Sequence, residues 1–192
     1  MKRIACVHGI NTSVAERQRF ALRWQDILRA GGLAVECVAV PWSSHGHMGG
    51  DIAGLMSPTT GEQWSREVAT GIDASGADVV LAHSGGTILM HGKKHTPVSM
   101  AGKRIVAIGS PWGHPFWSNM LGMSAWKPAP FPVVDIWNKD DPIACSFATS
   151  HRSPRGWRGV EVKHPGHTIE HSDEIYLRSP VALATLREVL EA

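Results

Sequence analysis

The chain has 192 residues, 43% of them hydrophobic and 19% charged, which fits a single globular domain over 1–192 with a substantial buried core. Its formal net charge of +2 is too small to indicate binding to nucleic acid or to an anionic membrane. Its apolar runs are shorter than the roughly 18 residues that a membrane helix needs, so we expect no integral membrane segment.

Hydrophobic patterns predict short apolar strands that alternate with helices along the whole chain. The predicted strands cover residues 3–7, 33–40, 78–82, 104–108, 133–137 and 159–163. Helices are predicted over 13–30, over 61–74, from the turn after the third strand to about 92, and from Ser179-Pro180 onward. This alternation indicates an α/β fold with a doubly wound, mostly parallel sheet of about six strands and helices on both faces.

Two segments of the chain have no sustained hydrophobic period. Residues 42–60 contain Ser, Gly, His and Met without a helical or strand pattern, so we expect a loop there. Residues 112–132 follow the fourth strand and are rich in Trp, Met, Pro and Gly. Their large apolar side chains could form a small lid or line a pocket, or they could cover the edge of the core.

The most informative stretch surrounds Ser84. An apolar strand ends there, two glycines follow, and an apolar helical segment comes next. Residues 82–86, Ala-His-Ser-Gly-Gly, match the nucleophile-elbow pattern G-x-S-x-G with Ala82 in place of the first glycine. A serine at a sharp strand-to-helix turn needs small neighbours, because the two elements approach closely. Ser84 is therefore a candidate nucleophile, and its alternative role is the N-cap of the helix.

Other polar groups follow the carboxyl ends of further predicted strands, which is where ligands collect in a parallel sheet. His8-Gly9 follows the first strand. An acidic turn with Asp140 and Asp141 follows the fifth strand, and a histidine-rich loop follows the sixth. The order along the chain is therefore serine, acid, histidine.

Four short segments at these strand ends carry a resemblance to a known family. In chain order they are Val-His-Gly-Ile-Asn, Ala-His-Ser-Gly-Gly, Ile-Gly-Ser-Pro and Asn-Lys-Asp-Asp-Pro-Ile-Ala. Together they resemble the α/β-hydrolase superfamily, in particular its small esterase- and lipase-like serine hydrolases, which use the same order of serine, acid and histidine. The resemblance implies a minimal sheet, a catalytic triad with Ser84 as nucleophile, and no cofactor.

The acid of this triad has three candidates. Asp141 matches the family's Asn-x-x-Asp-Pro turn, which makes it the preferred residue. Asp140, its neighbour, could instead be the acid, or could point to solvent or cap the turn. Asp135 lies inside the fifth strand, where its side chain would point away from the strand's end.

The base is a choice among histidines in the last loop. His171 begins a His…Tyr-Leu…Ser-Pro sequence that resembles the lead into the last helix of lipase-like relatives, so it is preferred. His167 follows a glycine, as in many hydrolases, and is the alternative base. His164 is too close to the sixth strand to reach back over the sheet.

Acyl transfer also needs donors for the developing oxyanion, and backbone N–H groups can provide them. The resemblance implies the amides of Gly85 and Ile10 for this role. The expected function is cleavage of a small-molecule carboxylic ester through an acyl-enzyme. Two alternatives stay open: a catalytically silent binding module with the same fold, and a thioesterase or amidase with the same triad.

The remaining chemistry-bearing residues predict no metal site. Cys6, Cys37 and Cys145 are an odd number without metal-site spacing, typical of reduced thiols in a cytoplasmic protein. His45 with His47, and the pair at 91 and 95, have no carboxylate or cysteine at a supporting distance. The sequence also contains no nucleotide-binding glycine motif.

Overall fold

The architecture was obtained from a computed structural model, which describes residues 1–17, 19–91, 102–120, 131–145, 156–163 and 171–192. The strands are β1 (Lys2–Val7), β2 (Val35–Ala39), β3 (Val79–His83), β4 (Arg104–Ile108), β5 (Val133–Trp137) and β6 (Arg158–Glu161). The helices are α1 (Val14–Arg17), α2 (Phe20–Ala30), α3 (Met48–Met56), α4 (Pro58–Ser75), α5 (Gly86–Leu89), α6 (Pro115–Met120), α7 (Asp173–Arg178) and α8 (Pro180–Glu191), with a short 3-10 turn at Pro111–Gly113.

The strands form one sheet in the order β2-β1-β3-β4-β5-β6, and every neighbouring pair is parallel. The chain leaves β1 for β2 at one edge and then returns to place β3 on the other side of β1. This reversal creates a crevice between the carboxyl ends of β1 and β3, the position at which open α/β sheets bind ligands. The segments after these two strands contain His8-Gly9 and Ser84.

Helices cover both faces of the sheet, and each face has its own apolar core. On one face, Trp24 and Leu28 of α2 and Leu186 of α8 pack against alternate residues of the strands. On the other face, Trp64 and Ile72 of α4 pack against the intervening strand residues, together with α3 and α5. The inner strands β1, β3, β4 and β5 are therefore largely buried on both sides, which explains their apolar sequences, whereas the edge strand β6 is mostly exposed. The doubly wound sheet of six strands predicted from the sequence is confirmed.

The expected loop over 42–60 is wrong, because this segment contains α3 and the start of α4. Three glycines weaken the helical signal of α3 in the sequence. One of them, Gly54, packs under the Trp64 ring, where an added Cβ would lie only 2.0 Å from the indole. Tertiary packing therefore fixes a helix that local propensity disfavours.

Smaller differences concern element ends. The predicted first helix consists of two separate helices, α1 and α2, and the helix after Ser84 ends at Leu89. The short helix α7, which the sequence did not indicate, precedes α8. Ser179 occupies the N-cap position of α8 as predicted, although its side chain makes no capping hydrogen bond. The three cysteines are buried, and no disulfide joins them. No helix in the described ranges is long and apolar enough to cross a membrane.

Candidate active site

Ser84 has the strained backbone of a nucleophile elbow. Its φ is +52°, in the left-handed region that a residue with a side chain rarely adopts. The close neighbours are glycines for a steric reason: a Cβ on Gly86 would lie 2.4 Å from the His8 carbonyl oxygen, and one on Gly9 would lie 2.9 Å from the Ser84 Cβ. Two glycines therefore allow the turn after β3 to pack directly on the end of β1.

Hydrogen bonds on the β4 side hold this turn in place. The Ser84 amide donates to the Ile108 carbonyl at 3.1 Å, and the Ser84 carbonyl accepts from Thr87 Oγ1 at 2.6 Å. Thr87 Oγ1 in turn lies 3.0 Å from the Ser110 hydroxyl. The N-cap of α5 is Gly85 rather than Ser84, and no side chain caps this helix. The alternative role of Ser84 as an N-cap is therefore not observed.

Asp141, in the turn after β5, and His171, just before the start of α7, are in direct contact. The His171 Nδ1–H lies 2.8 Å from Asp141 Oδ2 and 3.0 Å from Oδ1. The backbone amides of Ile143 and Ala144 also donate to Asp141 Oδ1, at 2.7 and 3.2 Å. Asp140 has a different role, since its amide is held by the Asn138 side chain at 2.9 Å. Of the two acidic residues of this turn, Asp141 is the one bonded to His171.

Tyr176 completes the surroundings of this carboxylate. Its hydroxyl donates to Asp141 Oδ2 at 2.5 Å. Burial tends to raise the pKa of Asp141, but the hydrogen bonds from His171 and Tyr176 outweigh burial and hold this pKa below its usual value. Burial and the charge of Asp141 raise the Tyr176 pKa well above its usual value, so the phenol remains a donor. The carboxylate is therefore ionised and fully bonded.

Gly109, which directly follows β4, leaves space for Asp141, His171 and Tyr176. Gly109 has φ +57°, and a Cβ there would lie 3.0 Å from His171 Cε1, 3.1 Å from the Tyr176 ring and 3.2 Å from Asp141 Oδ2. The Ile-Gly-Ser-Pro segment contained this glycine, but no sequence pattern indicated that it packs against the imidazole. Its role depends on strands that are distant in the chain.

Ser84 and His171 line the same cavity, which has a volume of about 440 Å³. His171 Nε2, the ring nitrogen opposite the Asp141 bond, is buried and bonded to no described residue, so it makes no hydrogen bond with the Ser84 hydroxyl. Such bonds are often long in unliganded enzymes and tighten when substrate binds. His164 and the alternative base His167 lie outside the described residues.

His83, directly before the nucleophile candidate, stacks on the base candidate. The rings of His83 and His171 have centroids 4.7 Å apart and planes inclined by 25°. Burial, together with the neighbouring His171, lowers the pKa of His83 to about 3. His83 is therefore neutral at physiological pH and covers one face of the His171 imidazole.

The two residues whose amides are expected to bind an oxyanion are in direct contact. The Ile10 nitrogen is 3.5 Å from the position that a Cβ on Gly85 would occupy, and Ile10 Cγ2 is 2.6 Å from it. In the part of the chain that the structure describes, neither the Ile10 nor the Gly85 N–H donates a hydrogen bond. Both residues also line the cavity beside Ser84.

Most of the remaining cavity wall is apolar, with Asn11 as a polar exception. It comes from α3, from the 3-10 turn and α6, and from the turn after β5; the main contributors are Met48, Ile52, Leu55, Pro111, Trp117 and Ile143. The Trp117 indole also donates to the Pro142 carbonyl at 2.9 Å. Within the described part of the 112–132 segment, Trp117 lines the cavity and Trp112 packs against the core. Residues 121–130 of that segment lie outside the described ranges.

A second groove lies apart from this cavity, and the possible metal ligands among the described residues form no site. A larger open groove of about 780 Å³ runs along α4 and contains none of the predicted site residues. Within the described ranges, no three His, Cys, Asp or Glu side chains are grouped as metal ligands.

Two solved structures share this fold. One is an extracellular α/β-hydrolase from a Paenibacillus species, described as sharing structural and functional homology with tobacco salicylic acid binding protein 2; it is 12% identical with a TM-score of 0.55, and the match covers 100% of both chains. The other is a proline iminopeptidase-related protein from Thermus thermophilus, 12% identical with a TM-score of 0.54, covering 99% of this chain and 89% of that chain. No family model and no curated protein matches the sequence.

The likeness to these structures, at 12% identity, concerns the fold alone. The all-parallel doubly wound sheet and both neighbours define the class of this protein: it has the α/β-hydrolase fold. The motifs in the sequence predicted this fold.

Proposed function

We propose that the protein is a serine hydrolase that cleaves a small carboxylic ester through an acyl-enzyme. The observation that carries this proposal is the Asp141–His171 hydrogen bond beside a cavity that also contains Ser84 in a left-handed turn. A serine hydroxyl is a weak nucleophile until a neighbouring base accepts its proton, and that base needs an orienting group. His171 and Asp141 are suited to these two roles.

The reaction would proceed in two acyl transfers. Ser84 Oγ attacks the ester carbonyl carbon while its proton passes to His171 Nε2, and the oxyanion accepts hydrogen bonds from the Ile10 and Gly85 amides. The intermediate collapses as the C–O bond to the alcohol breaks, and the alkoxide takes the proton from His171. Water then attacks the acyl-enzyme by the same route and releases the carboxylic acid and Ser84.

The cavity favours an uncharged ester with an apolar acyl group. Among its described lining residues there is no Asp, Glu, Lys or Arg, and the wall is mostly aliphatic with one indole. A substrate with a free amino group, as an iminopeptidase would require, needs a carboxylate to pair with its ammonium. The described part of the cavity offers none, which supports an ester over a peptide with a free amino terminus.

The hydrogen bonds of Asp141 also favour a catalytic protein over a silent binding module. A binding pocket would gain nothing from a buried Asp141 held by a histidine and a tyrosine, whereas a general base requires an orienting group. A thioester would use the same groups and is a second candidate substrate. A cytoplasmic location stays a prediction from the cysteines.

A fluorophosphonate probe tests the proposal directly, because it phosphonylates only an activated serine. We expect labelling of the wild-type chain at Ser84, mapped by peptide mass spectrometry, and no labelling of Ser84→Ala. Ser65→Ala is the matched control, since Ser65 is another buried serine, in α4 and outside the cavity. Labelling that survives Ser84→Ala, or a wild-type chain that resists the probe, would contradict the proposal.

A further inference from the structure

The loop that follows β1 is tied to α3 by a buried carboxylate. Asp51, in the first turn of α3, is fully buried. Its Oδ2 accepts the Asn11 amide at 2.8 Å, and its Oδ1 accepts the His45 amide at 2.5 Å. A buried carboxylate is stable only with such donors, so the two segments that provide them are held together.

Arg17 makes the complementary set of bonds between the same two segments. Its guanidinium donates to the Thr12 carbonyl at 3.2 Å, to the Ser44 carbonyl at 2.6 Å and to the Trp42 carbonyl at 3.4 Å. Asp51 thus accepts hydrogen bonds from N–H groups, and Arg17 donates to carbonyl groups, where the loop after β1 meets the segment before α3. The loop over 9–12 is fixed to the segment over 42–51 by two charged side chains.

The junction includes the residue next to the Ile10 amide. Asn11 has φ +60°, in the left-handed region that asparagine tolerates better than most residues, and the Asp51 bond is made to its N–H. The orientation of this peptide unit sets where the preceding backbone points. The Asn11 N–H belongs to the peptide unit whose carbonyl is that of Ile10, so its bond to Asp51 restrains the backbone directly after the Ile10 amide, which lies against Gly85.

We infer that Asp51 is a positioning residue that orients the Ile10 amide as an oxyanion donor and, through α3, sets the apolar wall of the cavity against it. This inference rests on the proposed hydrolase function. Oxyanion donors act on the transition state more than on the bound substrate. Loss of the Asp51 bonds should therefore reduce kcat with little change in KM.

The test compares wild-type protein with Asp51→Asn, in which the side chain keeps its shape but turns an NH2 group toward one of the two amide donors. We expect kcat for a short-chain p-nitrophenyl ester to fall about 10- to 100-fold, with KM within about 3-fold, because one oxyanion donor is typically worth about 10²–10³ in rate. Glu62→Gln is the control, since it removes another largely buried carboxylate from the adjacent helix α4, outside the cavity, and should leave kcat unchanged.

A trifluoromethyl ketone separates a positioning role from a merely structural one. The Ser84 oxygen adds to the carbonyl of this ketone and forms a tetrahedral oxyanion. The matching methyl ketone binds largely without this covalent addition. Asp51→Asn should weaken the fluoroketone by the same factor as kcat/KM and leave the methyl ketone unaffected. An unchanged fluoroketone affinity, or equal weakening of both ketones, would overturn the inference.

Amide hydrogen exchange of the wild-type chain keeps the inference testable even if the variant does not fold. The Asn11 amide should be protected, the Ile10 amide should exchange rapidly, and the fluoroketone should protect Ile10. Rapid exchange at Asn11 would overturn the inference. A wild-type chain that neither hydrolyses the ester nor binds the fluoroketone would instead overturn the proposed function on which it rests.

Discussion

The two sides of the cavity are built in different ways. On the acid–base side, Asp141, His171 and Tyr176 are joined by hydrogen bonds between side chains. On the proposed oxyanion side, the expected donor is the backbone amide of Ile10, and the side chain of Asp51 binds the backbone N–H of the next residue. The first side therefore depends on residue identity, while the second depends on backbone position. Substitutions should affect the two sides differently.

The largest effect is expected where the two sides meet, at Ser84. Ser84→Ala and His171→Ala should each reduce kcat by at least about 10³-fold, and the double variant should be no worse, because the two residues act as one unit. Steady-state kinetics with a p-nitrophenyl ester measures all three. If the two losses were instead additive, the residues would act independently, and the pairing would be wrong.

The second largest effect is expected at Asp141, and its neighbour Asp140 provides the comparison. Asp141→Asn should reduce kcat by about 10²- to 10⁴-fold, because His171 would lose the acceptor that fixes its tautomer. Asp140→Asn is the matched control and should change kcat less than about 2-fold, since Asp140 contributes only its backbone amide to the turn. The reverse ranking in folded variants would move the acid to Asp140.

Tyr176→Phe should have a smaller effect, on the order of 10-fold in kcat/KM, because Asp141 loses one donor and keeps the others. Tyr176 is the only tyrosine of the chain, so phenolate absorbance reports on this residue alone. The native protein should form no phenolate near pH 10, in keeping with the raised pKa of Tyr176, whereas the urea-unfolded chain should. Phenolate formation near pH 10 in the native state would place Tyr176 away from the carboxylate.

A further effect, which lies outside catalysis, concerns stability in mild acid. Burial lowers the pKa of His8 to about 4 and that of His91 to about 3, and burial with His171 lowers that of His83 to about 3, from an ordinary value of 6.5. Between pH 6.5 and pH 4 the unfolded chain binds protons that the folded chain does not. The free energy of unfolding should therefore fall as the pH falls, by about 1 kcal/mol per pH unit for each histidine.

The variant His91→Phe isolates the contribution of His91 to this pH dependence. His91→Phe keeps an aromatic ring against Trp112 and Trp157 but cannot bind a proton. Urea unfolding between pH 7 and pH 4.5 should show its pH dependence reduced by about a third relative to wild type. An unchanged slope would mean that His91 is not neutral in the folded state.

The same contrast between the two sides determines what could be predicted from the sequence. The strands at 104–108 and 133–137 were predicted with their observed bounds, because Gly109 ends the first apolar run and Pro132 precedes the second. A parallel sheet brings strand ends to one edge, so Ser84, Asp141 and His171 could be expected to meet there. The side-chain chemistry of the acid–base side is visible in residue types and their order.

The oxyanion side was harder to predict. The Met48–Met56 helix was missed because its glycines disfavour a helix and its stability comes from packing under Trp64. Asp51 had no local signal, since its partner Asn11 is 40 positions away in the chain. Gly109 was missed for the same reason. Contacts that act on the backbone from a distance leave little trace in a single sequence.

The central claim is that Ser84 becomes acylated during turnover. Acid-quenching the wild-type protein while it hydrolyses a p-nitrophenyl ester, followed by peptide mass spectrometry, tests this claim most directly. We predict the mass of one acyl group on Ser84 in the peptide that contains it, and none in Ser84→Ala. An acyl group on a histidine or cysteine instead, or ester hydrolysis by Ser84→Ala at the wild-type rate, would contradict it.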